Sequence, residues 1–257
     1  MFCVVTPCAS DDLGTLRARL EPRQPAGETM IRNPQFLALV RHGQSEANVA
    51  IQRETDALYY EIPGSDTSVA LTGQGNREAF DAGCRLSSML PANTGFDTLF
   101  LSPFVRVRQS ADELERGLGY APPRIEDTRL EKRSYGDFWN LTYRGVQQLH
   151  PAEYARFQQQ GHLLYRPPGG ENYPDVFTRV EQFIEEQVNP SSGNLLVVTH
   201  SVVVLSFQRV FDGLPDAEVL RRYETVALPN GHIVLYSRRT PGEAWRPVYL
   251  PLPEQVA

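Results

Sequence analysis

Three short apolar segments constrain what this chain can fold into, because each one leads through polar residues into a helical pattern. The segments are Phe36–Val40, Thr98–Leu101 and Asn194–Thr199, and their length is typical of buried strands. Strands that alternate with helices form mostly parallel sheets that helices cover on both faces. The sequence therefore predicts an α/β fold, a three-layer sandwich with a mostly parallel central sheet flanked by helices and an antiparallel strand at one edge.

Four helices are predicted from apolar residues at helical spacing and from capping residues at their starts. They run from Thr72 to about Leu90, from Phe104 to Leu118, from Tyr173 to Val188 and from Ser201 to about Val210. Near the end of the chain, the turn Pro-Asn-Gly separates Val226–Leu228 from His232–Tyr236, which predicts a β-hairpin.

The first residues differ in composition from the rest of the chain. Residues 1–34 contain four prolines and balanced charges, which predicts a weakly ordered N-terminal tail. Residues 35–257 are interpreted as a single catalytic domain. Met30 precedes the first confident strand, so whether residues 1–29 are translated stays open.

Composition excludes several classes of function. The chain has 25 Lys and Arg against 31 Asp and Glu, and a net charge of −6 disfavours non-specific binding to nucleic acid or to anionic membranes. The three cysteines (Cys3, Cys8 and Cys84) lack metal-ligand spacing and form no disulfide framework. No run is long enough to span a membrane, and Met1–Ser10 is a poor secretory signal. We therefore expect a cytoplasmic protein with no bound metal.

Chemically active residues follow each of the three strands. Arg41 and His42 come directly after the first, Arg106 follows the second by five residues, and His200 follows the third. In doubly wound sheets, ligands bind outside the carboxyl ends of the strands. Arginine offers forked donors that match phosphate oxygens, and histidine can act as nucleophile or donor. These residues predict an anion site at one edge of the sheet.

Small polar residues surround the first of these segments. Gly43 allows close backbone approach, and Ser45 and Asn48 place hydrogen-bonding groups at a helix N-terminus, which suits an anion. We therefore include Gly43, Ser45 and Asn48 among the candidate substrate-binding residues.

The motifs resemble those of the histidine phosphatase superfamily, the phosphoglycerate-mutase-like or RHG proteins. The family's R-H-G-x-[ST], L-T-x-x-G, S-P-x-x-R-x-x-Q-[ST] and late strand-then-His elements occur here in family order, as Arg41–Ser45, Leu71–Gly75, Ser102–Ser110 and Val197–His200. The resemblance covers roughly residues 36 to 250. One R-H-G triplet is a weak signal, whereas the ordered set is specific.

The resemblance implies a two-step phosphoryl transfer through a phosphohistidine. His42 is the implied nucleophile, and water then attacks the phosphohistidine without a metal or an organic cofactor. The implied ligands of the phosphoryl oxygens are Arg41, Arg106, His200, Asn48 and the backbone amide of Ser201.

The general acid is where the sequence departs from the family pattern. In the family, a Glu in an L-x-E-x-x-x-G segment protonates the leaving oxygen. Aligned on Gly136, that Glu falls on Lys132, with Glu131 one residue early. A one-residue bulge would restore Glu131, which we prefer as the acid. Asp137 is a weaker candidate, and a Lys beside other cations can also donate a proton. Lys132 is otherwise assigned to substrate binding.

The substrate expected from the resemblance is a small phosphomonoester. The long loop from Tyr59 to Leu71 could cover the site as a lid, and Tyr59, Tyr60 and Trp139 could wall it. The paired arginines with which mutases bind a bisphosphoglycerate are not found between Tyr143 and Pro168, so a phosphatase is favoured. A phosphoglycerate mutase and a non-catalytic phospho-ligand binder remain alternatives. Whether the chain forms a homo-oligomer is also open.

Overall fold

The computed structural model describes residues 34–53, 55–225 and 228–248. The strands in these ranges are β1 (Gln35–Arg41), β2 (Thr98–Leu101), β3 (Arg124–Glu126), β4 (Leu195–Thr199), β5 (Ile233–Arg238) and β6 (Arg246–Pro247). The α-helices are α1 (Glu46–Gln52), α2 (Gly73–Met89), α3 (Val105–Leu118), α4 (Tyr143–Leu149), α5 (Pro151–Leu164), α6 (Tyr173–Phe183), α7 (Ser201–Phe211) and α8 (Asp216–Thr225). Two 3₁₀ turns (Thr128–Leu130 and Gly136–Phe138) and a π-helical turn (Ile184–Val188) complete the elements.

The strands form one sheet in the order β3-β2-β4-β1-β5-β6. The first four are parallel to one another, β5 is antiparallel to β1, and β6 is antiparallel to β5. Parallel neighbours need crossover connections, and the helices provide them. The predicted sandwich, with its antiparallel edge, is confirmed.

Alternate residues of the central strands enter two separate cores. In β1, Leu37 and Leu39 pack in the core that contains α6 and α7. Ala38 and Val40 pack instead in the core that contains α2 and α3. Because both faces of the sheet are buried, the sequence of β1 is a continuous run of apolar residues rather than an alternation of apolar and polar residues.

The strands and helices predicted from the sequence are confirmed within one or two residues, except that the third helix continues from Ile184 as a π-helical turn. In the hairpin prediction, Val226 and Ala227 lie outside the described residues. The second predicted strand of the hairpin pairs with β1 and β6, and the chain before the turn is helical up to Thr225. Helices α4, α5 and α8 and strands β3 and β6 were not predicted.

The predicted N-terminal tail lies outside the described residues, apart from Pro34. Within the described ranges, no helix combines the length and apolar character that a membrane crossing requires.

Helices α2 and α3 approach each other closely at two glycines. A Cβ on Gly83 would lie 2.1 Å from the carbonyl oxygen of Leu114, and one on Gly117 would lie 2.2 Å from that of Phe80. Real Cβ atoms do not come this near to backbone atoms, so the helix pair cannot keep its present separation with larger residues at these positions.

We expect Gly83→Ala to lower the free energy of unfolding by about 1–3 kcal/mol, because an added methyl group overpacks this contact. Gly73→Ala is the matched control in the same helix, since the nearest atom to its Cβ is a side-chain nitrogen of Arg77 at 3.9 Å. Urea unfolding of the three proteins measures the difference. Equal stability of Gly83→Ala and wild type would contradict the close packing.

Candidate active site

The carboxyl ends of three neighbouring parallel strands carry the candidate residues. β1 ends at Arg41 and leads to His42, and β4 ends at Thr199 and leads to His200. Arg41 lies opposite Thr199 in the strand pairing, and the amide of His42 donates to the carbonyl of Thr199 over 2.9 Å. β2 leads to the start of α3, which carries Arg106. The strand ends therefore bring these side chains together.

His42 is held in one orientation by its own backbone neighbour. Its side chain is buried, and Nδ1 lies 2.7 Å from the carbonyl oxygen of Gly43. A carbonyl can only accept, so Nδ1 carries the proton and Nε2 keeps a free lone pair. The ring of His200 lies at 5.0 Å, nearly perpendicular to that of His42, and Nε2 of His200 lies 3.1 Å from the hydroxyl of Ser102.

Burial and nearby positive charges favour the neutral imidazole form of both histidines. Burial lowers the pKa of His42 well below its ordinary value, and the charges of Arg106 and Arg41 lower it further. Burial and the charge of Arg106 act in the same direction on the pKa of His200. A neutral imidazole with a free Nε2 is the form that can attack phosphorus.

The two arginines are anchored by backbone carbonyls. Nη1 of Arg106 donates to the carbonyl of Asp66 over 2.6 Å, and Nη2 lies 3.5 Å from the Asp66 carboxylate. Burial lowers the pKa of Arg106 to about 10. Arg41 donates through Nη1 to the carbonyl of Leu228, and its buried Nε has no hydrogen-bond partner among the described residues. Arg41 therefore has an unused donor for an anion.

Three further predicted residues line the same cavity as His42. These are Ser45, Asn48 and Ser201. The amide of Ser45 and the side-chain amide of Asn230 both donate to Oδ1 of Asn48, so the nitrogen of Asn48 is the atom left to donate. Ser201 is the first residue of α7, where backbone amides face outward from the helix N-terminus.

Gly43 has a packing role instead. It does not line the cavity, and a Cβ there would lie 2.1 Å from the carbonyl oxygen of Gly75. Its amide donates to the hydroxyl of Ser110 over 3.0 Å. The glycine lets the loop after β1 lie against the start of α2, and Gly75 is the last residue of the L-T-x-x-G motif.

The three candidates for the general acid lie in different surroundings. Lys132 lines the cavity, whereas Glu131 and Asp137 do not. Asp137 is exposed, and Glu131 is half-buried, with a pKa that burial raises. Glu131 therefore does not line the cavity in which a general acid would have to act.

Asp66 was not predicted as a site residue, although it lies in the loop that the sequence suggested as a lid. Its carboxylate lies 2.8 Å from Nζ of Lys132, and it is the one carboxylate among the described residues that line the cavity. The next residue, Thr67, accepts from the amide of Val105 at the start of α3. The loop therefore lies against the site, but only its length indicated this.

The cavity has a volume of about 450 Å³. Beyond the histidines and arginines, nine of the twenty remaining lining residues of the described chain are aromatic. The aromatic residues are Tyr60, Tyr135, Phe138, Trp139, Tyr143, Tyr154, Phe157, Tyr165 and Tyr223. Tyr60 and Trp139 were suggested from the sequence, whereas Tyr59 lies outside this cavity. His162, which was given no role, lines the cavity and pairs with Glu224.

Residues 37–243 match the family described as the histidine phosphatase superfamily (branch 1). This chain belongs to that superfamily. Phosphoglycerate mutase-like protein AT74 of Arabidopsis thaliana is 29% identical over 188 residues, which are 66% of this chain and 55% of that relative. This histidine phosphatase homologue thus spans about half the length of AT74. The 2,3-bisphosphoglycerate-dependent phosphoglycerate mutase of Bartonella quintana is 26% identical over 197 residues, 75% of this chain and 89% of the mutase.

Solved structures show the same histidine phosphatase fold. A putative alpha-ribazole-5'-P phosphatase from Escherichia coli superposes with a TM-score of 0.63 at 22% identity and covers 84% of this chain and 96% of its own. A mycobacterial glucosyl-3-phosphoglycerate phosphatase in complex with VO3 superposes with a TM-score of 0.59 at 20% identity, over 84% and 98% of the two chains. At these levels of sequence identity, the structural similarity shows a shared fold and nothing about the substrate.

We expect His42 and His200 to stay neutral at pH values well below 6.5, because burial and nearby cations oppose their protonation. Histidine ¹⁵N NMR across a pH titration measures this, with His42→Asn to assign one ring and the urea-unfolded protein as reference. The unfolded chain takes up protons near pH 6.5 that the folded chain does not. The free energy of unfolding therefore falls as the pH falls below that value. A His42 signal that titrates near pH 6.5 in the folded protein would contradict this.

Proposed function

We propose that this protein hydrolyses a phosphomonoester through a phosphohistidine formed on His42. The observation that carries the proposal is the buried, neutral His42, whose Nδ1 faces a backbone carbonyl while Arg41, Arg106 and His200 share its cavity. Phosphoryl transfer is promoted mainly by positioning and by stabilisation of charge. Arg41, Arg106 and His200 can position the oxygens of the transferred group and stabilise their negative charge.

In the first step, Nε2 of His42 attacks phosphorus as the bond to the leaving oxygen breaks. Arg41 and Arg106 bind the other phosphoryl oxygens, with His200 and the amide nitrogen of Asn48 as further donors. The Nδ1 hydrogen bond to Gly43 stabilises the positive charge that develops on the ring.

We propose Lys132 as the source of the proton that the leaving oxygen needs. It is the only lysine in the chain, beside 24 arginines, and it lines the cavity with its ammonium held by Asp66. An arginine side chain stays protonated in proteins, whereas a lysine can release its proton. Among the described lining residues, histidines aside, Lys132 is thus the one cation that can act as an acid.

In the second step, a water molecule attacks the phosphorus of the phosphohistidine. Lys132, now neutral, takes a proton from that water, and the bond between phosphorus and Nε2 of His42 breaks. The products are the alcohol and inorganic phosphate. Both His42 and Lys132 return to their starting protonation states.

Several curated relatives are named as phosphoglycerate mutases, so mutase activity is the main alternative. A mutase must also hold a second negatively charged group of its substrate. Apart from the residues already assigned, the basic side chains among the described lining residues are Arg133 and His162. Arg133 donates to the carbonyls of Glu171 and Tyr165, and His162 pairs with Glu224. This arrangement supports hydrolysis over mutase activity.

We expect His42→Ala to abolish turnover of phosphomonoesters in EDTA, with a rate loss of at least 10³-fold, because the covalent intermediate cannot form. The measurement is phosphate release, together with trapping of acid-labile phosphoenzyme in wild type. Arg108→Ala is a control, since Arg108 pairs with Glu126 on the surface.

The outcome separates the alternatives. A folded wild type that binds vanadate without any turnover would favour a phospho-ligand binder. Phosphoenzyme formed from 2,3-bisphosphoglycerate, with phosphate passed on to monophosphoglycerate, would favour a mutase. Residual activity of His42→Ala near that of wild type would contradict the proposed nucleophile.

We expect Lys132→Arg to slow hydrolysis of alkyl phosphates by about 10²–10⁴-fold, the usual contribution of a general acid. The same variant should slow p-nitrophenyl phosphate much less, because p-nitrophenolate leaves without protonation. Arginine keeps the charge beside Asp66, so the variant separates proton donation from anion binding. Glu131→Gln is compared in parallel. If Glu131→Gln shows the leaving-group selectivity and Lys132→Arg does not, Glu131 is the acid.

A further inference from the structure

The wall of the cavity changes character away from the phosphate-binding residues. Nine of the described lining residues are aromatic, and Ile51, Leu141, Val146 and Pro167 add further apolar surface. Arg41, His42, Arg106 and His200 lie where the strands end. The remaining space would receive the alcohol part of a phosphomonoester.

Two hydrogen-bonded segments supply two of the partly exposed aromatic side chains of the cavity. Tyr60 and Trp139 are partly exposed, and the amide of Tyr60 donates to the carbonyl of Asn140 over 2.8 Å. The amide of Thr142 donates back to the carbonyl of Leu58 over 3.0 Å. Neither ring packs against another aromatic ring among the described residues. Both side chains line the cavity and are partly exposed, so part of each ring can contact a ligand.

The opposite wall is a self-supporting aromatic cluster on α4, α5 and the residue after α5. The rings of Tyr143 and Tyr154 meet edge to face at 5.2 Å, and those of Phe157 and Tyr165 at 5.3 Å. The hydroxyls of Tyr143 and Tyr154 bond to each other over 2.8 Å. Rings held in this way form a fixed surface rather than one that must reorganise on binding.

Charge on this part of the wall is already neutralised or used. Arg133 donates to two backbone carbonyls, and His162 pairs with Glu224. The single lining carboxylate of the described chain, Asp66, is paired with Lys132 and Arg106. The described lining residues therefore offer no unpaired carboxylate to an ammonium group on the alcohol.

The volume also indicates a large alcohol. Pockets of about 300–1,000 Å³ enclose drug-sized ligands, and the 450 Å³ of this cavity fall within that range. A phosphoryl group fills only a small part of such a space.

We propose that the aromatic wall is a subsite for a planar ring system, so that the substrate is a phosphomonoester of a ring-bearing alcohol. This inference rests on the proposed hydrolysis at His42. Ring systems stack favourably on aromatic faces in offset or edge-to-face geometry. Tyr60 and Trp139 determine specificity for the ring.

The test compares kcat/KM for ethyl, cyclohexylmethyl, benzyl and 2-naphthylmethyl phosphate and for 3-phosphoglycerate. The leaving groups are all alcohols that need protonation, so differences report chiefly on recognition of the alcohol. We expect kcat/KM to be at least tenfold higher for 2-naphthylmethyl than for ethyl phosphate, and higher for benzyl than for cyclohexylmethyl phosphate. 3-Phosphoglycerate should be among the poorest substrates.

Variants then test the assigned residues. Trp139→Ala should lower the ratio of kcat/KM for 2-naphthylmethyl over ethyl phosphate at least fivefold, mainly through KM, and Trp139→Phe should restore most of it. Tyr59→Ala is the matched control, because Tyr59 neighbours Tyr60 but lies outside the cavity. Its ratio should equal that of wild type. A Trp139→Ala ratio that also equals wild type would contradict the subsite.

Binding of the corresponding phosphonates separates this inference from the proposed function, since their C–P bond is not cleaved by attack of His42. Turnover without a preference for ring-bearing substrates would overturn the proposed subsite but would leave the proposed hydrolysis at His42 supported. Tighter binding of the naphthyl phosphonate without turnover of any phosphomonoester would overturn the hydrolase and leave ring binding intact. If 3-phosphoglycerate has the highest kcat/KM of the five substrates, the proposed subsite is wrong.

Discussion

The parallel pairing of β1 with β4 is the constraint on which the site depends. Because Arg41 lies opposite Thr199, the histidines that follow the two strands leave the sheet side by side. A shift of one residue in this pairing would turn each side chain of a strand to the other face of the sheet. The apolar residues prevent that shift, since each strand packs one set against α6 and α7 and the other against α2 and α3. The hydrophobic core thus determines the distance between the two imidazoles.

Positive charge is concentrated where the strands end, and the fold accommodates it in two ways. The buried histidines stay neutral, because burial and neighbouring cations lower the pKa of each. Asp66 supplies the opposing charge for Arg106 and Lys132. A bound phosphoryl group would bring further negative charge to the same cations. The donors are already held in place by backbone carbonyls, so little reorganisation is needed when the anion binds.

The sequence predicts the sheet and the strand ends well, because short apolar runs determine them, and its motifs point to four residues that line one cavity, Arg41, His42, Arg106 and His200. It does not distinguish contact with substrate from close packing, so Gly43 was assigned to the substrate although it packs against Gly75. Helix α5 was missed for a physical reason. None of its residues is fully buried, since its aromatic side chains line a cavity instead of a core, and a weak apolar stripe results. Asp66 lies in an irregular loop, where no periodicity marks which side chain turns inward.

The single lysine connects these features. A cation that served only to bind phosphate would be better provided as arginine, whose planar fork makes two parallel hydrogen bonds to an oxyanion. The chain uses arginine at 24 positions and lysine only at position 132, which lines the cavity beside Asp66. The phosphate-binding residues belong to the family motifs, whereas Lys132, Asp66 and the aromatic wall depart from the family pattern or lie outside its motifs. On the proposed function, phosphate and the alcohol are recognised by separate parts of the chain, so the alcohol can change in evolution while the residues proposed to bind phosphate stay the same.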